Sequence, residues 1–165
     1  MHKLIILRGN SGSGKTTIAK KLQNKFGGNT MLISQDMVRK DILSVKDGRN
    51  TLALPLMKEL LIYGNKHCEI VILEGIMYAD WYAPLFELAI QLYDTKVYAY
   101  YFDLPFEETL KRHKTKPNCN NFGEEEMRRW WREKDYSDFL SEIRITADKE
   151  EEQTVLDIFN CVTNG

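Results

Sequence analysis

Short apolar runs alternate along this chain with longer stretches whose apolar residues recur every three or four positions. Lys3 to Arg8 contains the run Leu4-Ile5-Ile6-Leu7, too short for a helix and closed by a Gly turn, and predicts a strand. Thr16 to Phe26 then carries Ile18, Ala19, Leu22 and Phe26 at helical spacing, and Gly27-Gly28-Asn29 ends that helix. Met31-Leu32-Ile33 predicts a second strand, which leads through Ser34-Gln35-Asp36 into a short helix marked by Met37, Val38 and Leu43. Lys46-Asp47-Gly48-Arg49-Asn50 has the composition of a turn. Leu52 to Tyr63 predicts a helix in which Pro55 is tolerated only within the first turn. Ile70-Val71-Ile72-Leu73 is short, β-branched and wholly apolar, as expected of a parallel strand covered on both faces. A helix over Tyr82 to Tyr93, a strand over Lys96 to Phe102 and a helix over Phe106 to His113 follow. Thr115 to Gly123 is a loop rich in Asn, Lys and Pro, and Glu124-Glu125-Glu126 opens the next helix with acids that complement its dipole. Ile143-Arg144-Ile145 is the expected fifth strand and Glu150 to Val162 the closing helix.

Strands alternating with helices predict a parallel α/β sheet with right-handed crossovers, and such sheets gather ligands at the carboxyl ends of their strands. The 165 residues suffice for one domain spanning 1–165, and no repeat, low-complexity tract or linker divides it. With 43% hydrophobic and 28% charged residues the composition is that of an ordinary globular protein. No apolar stretch approaches the ~20 residues of a membrane span, and Leu4 to Leu7 is too short for a signal peptide, so a cytoplasmic protein without membrane association is expected. Cys68, Cys119 and Cys161 lack the spacing of a disulfide framework or a zinc site, and His2, His67 and His113 lack that of metal ligands. Twenty-three basic against twenty-four acidic residues leave a net charge of −1, so nothing global draws the chain to nucleic acid, although a local basic groove stays open.

The first turn carries the clearest chemistry. Gly9-Asn10-Ser11-Gly12-Ser13-Gly14-Lys15-Thr16 is a complete G-x-x-x-x-G-K-T loop between a strand and a helix. Its glycines let successive N–H groups turn inward on a triphosphate at a helix N-terminus, so Gly9 through Thr17 are the expected nucleotide-binding residues. Lys15 is then expected at the β and γ phosphates of ATP and Thr16 on Mg²⁺. Asp36 falls at the end of the second strand with Arg39 three residues on. A carboxylate there can accept a hydroxyl proton and a guanidinium can orient an acceptor or steady developing charge. The same two residues can also simply cap a helix and pair with one another.

Gly9 to Thr16 followed by Ser34-Gln35-Asp36-Met37-Val38-Arg39 resembles the compact P-loop kinases that include polynucleotide 5′-kinases, zeta-toxin-type sugar-nucleotide kinases and antibiotic phosphotransferases. Glu74-Gly75-Ile76-Met77-Tyr78-Ala79-Asp80, Phe106 to His113 and Phe122 to Trp130 further resemble a bacterial group of predicted kinases labelled uridine-kinase-like. The resemblance implies a three-layer α/β/α P-loop NTPase with a five-stranded parallel sheet in the nucleotide-kinase-like strand order 2-3-1-4-5. It also implies a helical lid over about residues 105–135. By resemblance Asp36 is the general base of D-x-x-R and Arg39 faces the acceptor. One departure is Glu74, which follows the third strand where many P-loop enzymes carry the Asp that holds Mg²⁺ through water; Glu74 can serve the metal or face the substrate. Lys111-Arg112-His113-Lys114-Thr115-Lys116 is a basic run, joined later by Arg128, Arg129 and Arg132, and Arg112 is the expected lid arginine on the phosphates.

Tyr78, Trp81, Tyr82, Trp130 and Trp131 can line an acceptor pocket or belong to the core. The expected activity is an ATP-dependent kinase that moves the γ-phosphoryl group to a hydroxyl of a small molecule, with ATP and that alcohol as partners. A polynucleotide 5′-hydroxyl kinase and a non-catalytic ATP-dependent switch are the alternatives.

Overall fold

A computed structural model describes residues 2–165. Among these residues, a five-stranded sheet runs in the order β2-β3-β1-β4-β5, and every neighbouring pair is parallel. The strands are β1 (Lys3–Gly9), β2 (Thr30–Ser34), β3 (Ile70–Gly75), β4 (Val97–Phe102) and β5 (Glu142–Ile145). The helices are α1 (Lys15–Phe26), α2 (Ala53–His67), α3 (Ala83–Tyr93), α4 (Phe106–Lys114), α5 (Glu124–Trp130) and α6 (Glu151–Asn164). This is the three-layer arrangement and strand order expected from the sequence.

Strand β1 lies at the centre because both faces of its apolar run find cover. Leu4 and Ile6 point to one side and pack with Met57 and Leu61 of α2 and Leu85, Phe86 and Ala89 of α3. Ile5 and Leu7 point to the other and meet Ile18, Ala19 and Leu22 of α1 and Val155, Ile158 and Val162 of α6. All four strand side chains are fully buried, each contributing roughly 1.5–3 kcal/mol of apolar burial. The three cysteines are free, and among the described residues no helix is long and apolar enough to cross a membrane.

The register explains how distant sequence motifs meet. Ser34 pairs with Glu74 across β2 and β3, and Glu74 pairs with Leu7 across β3 and β1. The turn after β1, Asp36 after β2 and Glu74 near the end of β3 therefore share one edge of the sheet. The segment after β2 is a π-helix over Met37–Ile42 where the sequence pattern predicts only a short helix. Its wider turn is a form that concentrates at functional sites. The fifth strand begins one residue earlier than its apolar pattern, at Glu142, and Pro55 occupies the third position of α2, inside the first turn.

Candidate active site

The loop from Gly9 to Gly14 closes on itself before α1 begins at Lys15. Gly14 takes a left-handed φ of 93° at the helix cap. Gly12, at φ 78°, sits so close to α4 that a Cβ on it would stand 2.5 Å from the Thr109 carbonyl oxygen, so only glycine fits. Inside the loop the Lys15 ammonium donates to the Asn10 carbonyl at 3.0 Å and to the Ser13 hydroxyl at 3.3 Å. Burial pulls its pKa down from 10.5 to about 8; Glu74 opposes the shift and Lys116 adds to it. Lys116 is itself lowered, first by burial and also by Arg112, with Glu74 opposing. Three cations thus converge on one loop, an arrangement that is unfavourable until an anion joins it.

A cleft of about 90 Å³ at this loop is lined by Ser11, Gly12, Gly14, Lys15, Thr16, Asp36, Glu74, Lys116 and Phe122, among others. At its floor the Thr16 hydroxyl donates to Glu74 Oε2 at 3.2 Å. This pair of hard oxygens suits Mg²⁺, which keeps water and phosphate oxygens for its remaining positions. Among the described residues, no cluster of three or more His, Cys, Asp or Glu could hold a metal by protein ligands alone.

A second cleft of about 370 Å³ opens beyond Asp36, and Ser11, Asp36, Ile76 and Phe122 line both. Asp36 accepts from Arg39 Nη2 and from Lys40 Nζ, each at 3.1 Å. Partial desolvation raises the Asp36 pKa, but the charges and hydrogen bonds of Lys40 and Arg39 outweigh it and hold the carboxyl below its ordinary value. Tyr78, Trp81, Phe122 and Trp130 form the aromatic part of the wall. Behind it, Tyr82 is fully buried, receives a hydrogen bond from Gln35 Nε2 at 3.0 Å and donates to Asp47 Oδ1 at 2.7 Å.

A third cleft of about 580 Å³ lies on the other side of the loop, between Gly14, Thr17 and Arg112 and the segment from Ala147 to Glu151. Arg112 is held there by Glu108 at 2.9 Å and donates to the Ser13 carbonyl at 3.3 Å. The phosphate cleft itself is lined from this region by His113 and Lys116 rather than by Arg112. The turn past the end of α4 folds Lys116 inward while Glu108 keeps Arg112 on the outer side.

Of the aromatic residues singled out in the sequence, Tyr78, Trp81 and Trp130 line the second cleft. Tyr82 belongs to the core, and Trp131 packs edge-on against Phe106 with ring centroids 5.3 Å apart. Arg128 makes a surface pair with Glu124 at 2.7 Å, Arg129 is exposed, and Arg132 stacks 3.8 Å from the Tyr78 ring centroid.

Two features escape sequence reasoning. Arg8, fully buried at the end of β1, pairs with Glu142 at 2.7 Å and Asp135 at 3.2 Å and donates to the Met77 carbonyl at 3.1 Å. Asn10 and Arg132 exchange hydrogen bonds at 2.7 and 3.0 Å, which joins the phosphate loop to the chain after α5. The only local sign of the first is a charged residue closing an otherwise apolar central strand.

The solved structures similar to this chain share its fold over nearly their whole length. The crystal structure of APE1195 aligns with a TM-score of 0.65 at 16% identity, covering 99% of this chain and 95% of that one. Shikimate kinase from Acinetobacter baumannii, in complex with shikimate, aligns at 0.62 and 14% identity, covering 99% and 94%. The APS kinase of Mycobacterium tuberculosis, in complex with AMPPNP and APS, aligns at 0.61 and 15%, covering 99% and 97%. No curated protein matches the sequence. The model of the AAA domain matches residues 4–135, which contain the phosphate loop, Asp36, Glu74 and helices α1, α4 and α5. The chain belongs to this AAA-domain family of P-loop proteins and has the fold of the P-loop kinases.

Proposed function

We propose that this protein is an ATP-dependent kinase that transfers the γ-phosphoryl group to a hydroxyl of a small molecule. The observation that carries the reading is that Asp36 lines both the phosphate cleft and the aromatic cleft. A carboxylate on that shared wall faces a transferring phosphoryl group on one side and an incoming alcohol on the other. Membership of the P-loop family and the kinase fold support the same reading.

In this mechanism the loop from Gly9 to Thr17 and the Lys15 ammonium bind the triphosphate of ATP. Thr16 and Glu74 are the residues that would hold Mg²⁺, which when bound neutralises charge developing on the phosphate oxygens. Asp36, kept ionised by Lys40 and Arg39, accepts the acceptor's hydroxyl proton as the new O–P bond forms and the bond from the γ-phosphorus to the β,γ-bridging oxygen breaks, with ADP as the leaving group. Arg39 orients the acceptor. Residues 105–135 act as a lid of the single domain, with Lys116 at the phosphate cleft and Arg112 leaving Glu108 on closure to join it over the transferring group, so that the alcohol rather than water receives it.

The test is transfer of labelled γ-phosphate to separate pools of alcohols by wild-type protein and by Asp36→Asn. The expected variant binds ATP within about twofold of wild type and loses transfer by about 10²–10⁴-fold. Unchanged turnover in the variant removes Asp36 as the base.

A further inference from the structure

The polar groups of the aromatic cleft are largely engaged by the protein itself. Asp36 is shared between Arg39 and Lys40, and Asp47 Oδ1 accepts both the Tyr82 hydroxyl at 2.7 Å and the Gly48 N–H at 2.9 Å. Gln35 donates to Tyr82, and the Tyr78 hydroxyl donates to the Trp130 carbonyl at 2.5 Å. What the cleft offers a ligand is therefore mainly ring surface. The rings are fixed before any ligand arrives: Tyr78 meets Trp81 edge-on at 4.8 Å and Phe122 meets Trp130 at 5.0 Å. Arg132 stacks on Tyr78 and is anchored on Asp80 at 2.5 Å.

This chemistry discriminates between kinds of alcohol. A small polyol gives up water at every hydroxyl and finds few free partners here, at about 1–3 kcal/mol for each group left unpaired. A flat ring instead covers apolar area and needs no hydrogen bonds across its face. One donor for an oxygen on such a ring is the Lys46 ammonium, which lines the cleft. The Arg39 guanidinium is engaged by Asp36 and the Val45 carbonyl, and its Nε is enclosed by protein. The volume of about 370 Å³ falls in the range of small-molecule sites.

We propose that the acceptor is an alcohol carrying a flat aromatic ring, held against Trp81 and Trp130, with an oxygen of the ring system taken by Lys46 and its hydroxyl presented to Asp36. This identification rests on the kinase reading for the role of Asp36, but the ring site stands or falls by binding alone.

The experiment is calorimetric titration of the full chain, loaded with Mg²⁺ and a non-hydrolysable ATP analogue, with matched alcohols: thymidine against 2-deoxyribose, and phenyl glucoside against glucose. The ring-bearing member of each pair is expected to bind at least about tenfold more tightly. Trp81→Ala should remove most of that advantage with the affinity for the ATP analogue unchanged, and Trp81→Phe should restore much of it. Equal affinities within both pairs, or no binding by either class at millimolar concentration, overturn the proposal. Parallel assays of γ-phosphate transfer separate the two readings. Ring-dependent binding without transfer keeps the ring site and sinks the kinase, whereas transfer to ring-free alcohols alone does the reverse.

Discussion

Lys15 shows at a single residue what the phosphate loop costs the unliganded protein. Its pKa is about 8 in the folded chain against 10.5 when unperturbed, because burial penalises the ammonium more than Glu74 and Asp36 support it. Between those two values the unfolded chain binds more protons than the folded one, so stability from this group rises with pH across the window from 8 to 10.5. Below pH 8 the charge is carried at a full penalty of roughly 3 kcal/mol. Lys15→Met removes that penalty along with the grip on phosphate. The variant is expected to bind no ATP yet to unfold at pH 7 at a temperature no lower than wild type, and its advantage should shrink as pH climbs towards 10.5. Thermal unfolding of both proteins at several pH values decides this, and a variant less stable throughout rules the penalty out. Such a trade of stability for binding is common where a site must hold charge.

At the scale of elements the site depends on Arg8, which holds together parts that the sheet alone does not. From the end of β1 its guanidinium reaches Glu142 at the start of β5, the Asp135 carboxylate and carbonyl in the chain after α5, and the Met77 carbonyl after β3. Phe86 and Tyr101 flank it at 5.1 and 5.5 Å. Arg8→Met leaves the buried Glu142 carboxylate without its cation and Asp135 with only Arg132 at 3.8 Å, and the expected loss is about 3–5 kcal/mol by denaturant unfolding. The double variant with Glu142→Gln should lose less than the sum of the two single changes, and strict additivity would show that the pair is not coupled.

The same elements mark how far sequence reading reached. Strands β1 and β3 were legible because each is apolar on both faces, and α1 because its buried residues recur at helical spacing. Strand β5 is an edge strand in which only Ile145 is buried, so its start at Glu142 left little trace. The π-helix was not legible either, since the same residues also fit an α-helical turn. In the site, the phosphate loop, Asp36 and Glu74 announced themselves through local spacing or a place at a strand end. Lys116, the Arg8 cluster and the Asn10–Arg132 exchange bring together residues from distant segments, and no period in the chain records such meetings.

Across the whole molecule, three clefts follow one another along the carboxyl edge of the sheet, with the phosphate loop between the wider two. In the proposed reading the nucleoside of ATP takes the cleft beside Thr17 and Lys149, the phosphates the central one, and the acceptor the aromatic one. Helix α4 and the loop after it border all of this, because Thr109 packs on Gly12, Arg112 bonds to Ser13, and Lys116 and Phe122 line the centre. A polyanion bound among Lys15, Arg112 and Lys116 relieves their mutual repulsion and draws these segments onto the loop, so its effect should extend well beyond the residues it touches. At a hundred times its dissociation constant ATP with Mg²⁺ contributes about 2.7 kcal/mol, which for a chain of this size raises the unfolding temperature by about 5–10 °C. Hydrogen exchange should slow together over the loop from Gly9 to Thr17 and over residues 106–130, and in Lys15→Met both effects should vanish. Protection confined to the phosphate loop would mean that residues 105–135 do not close over the nucleotide, and the exclusion of water during transfer would then need another part of the chain.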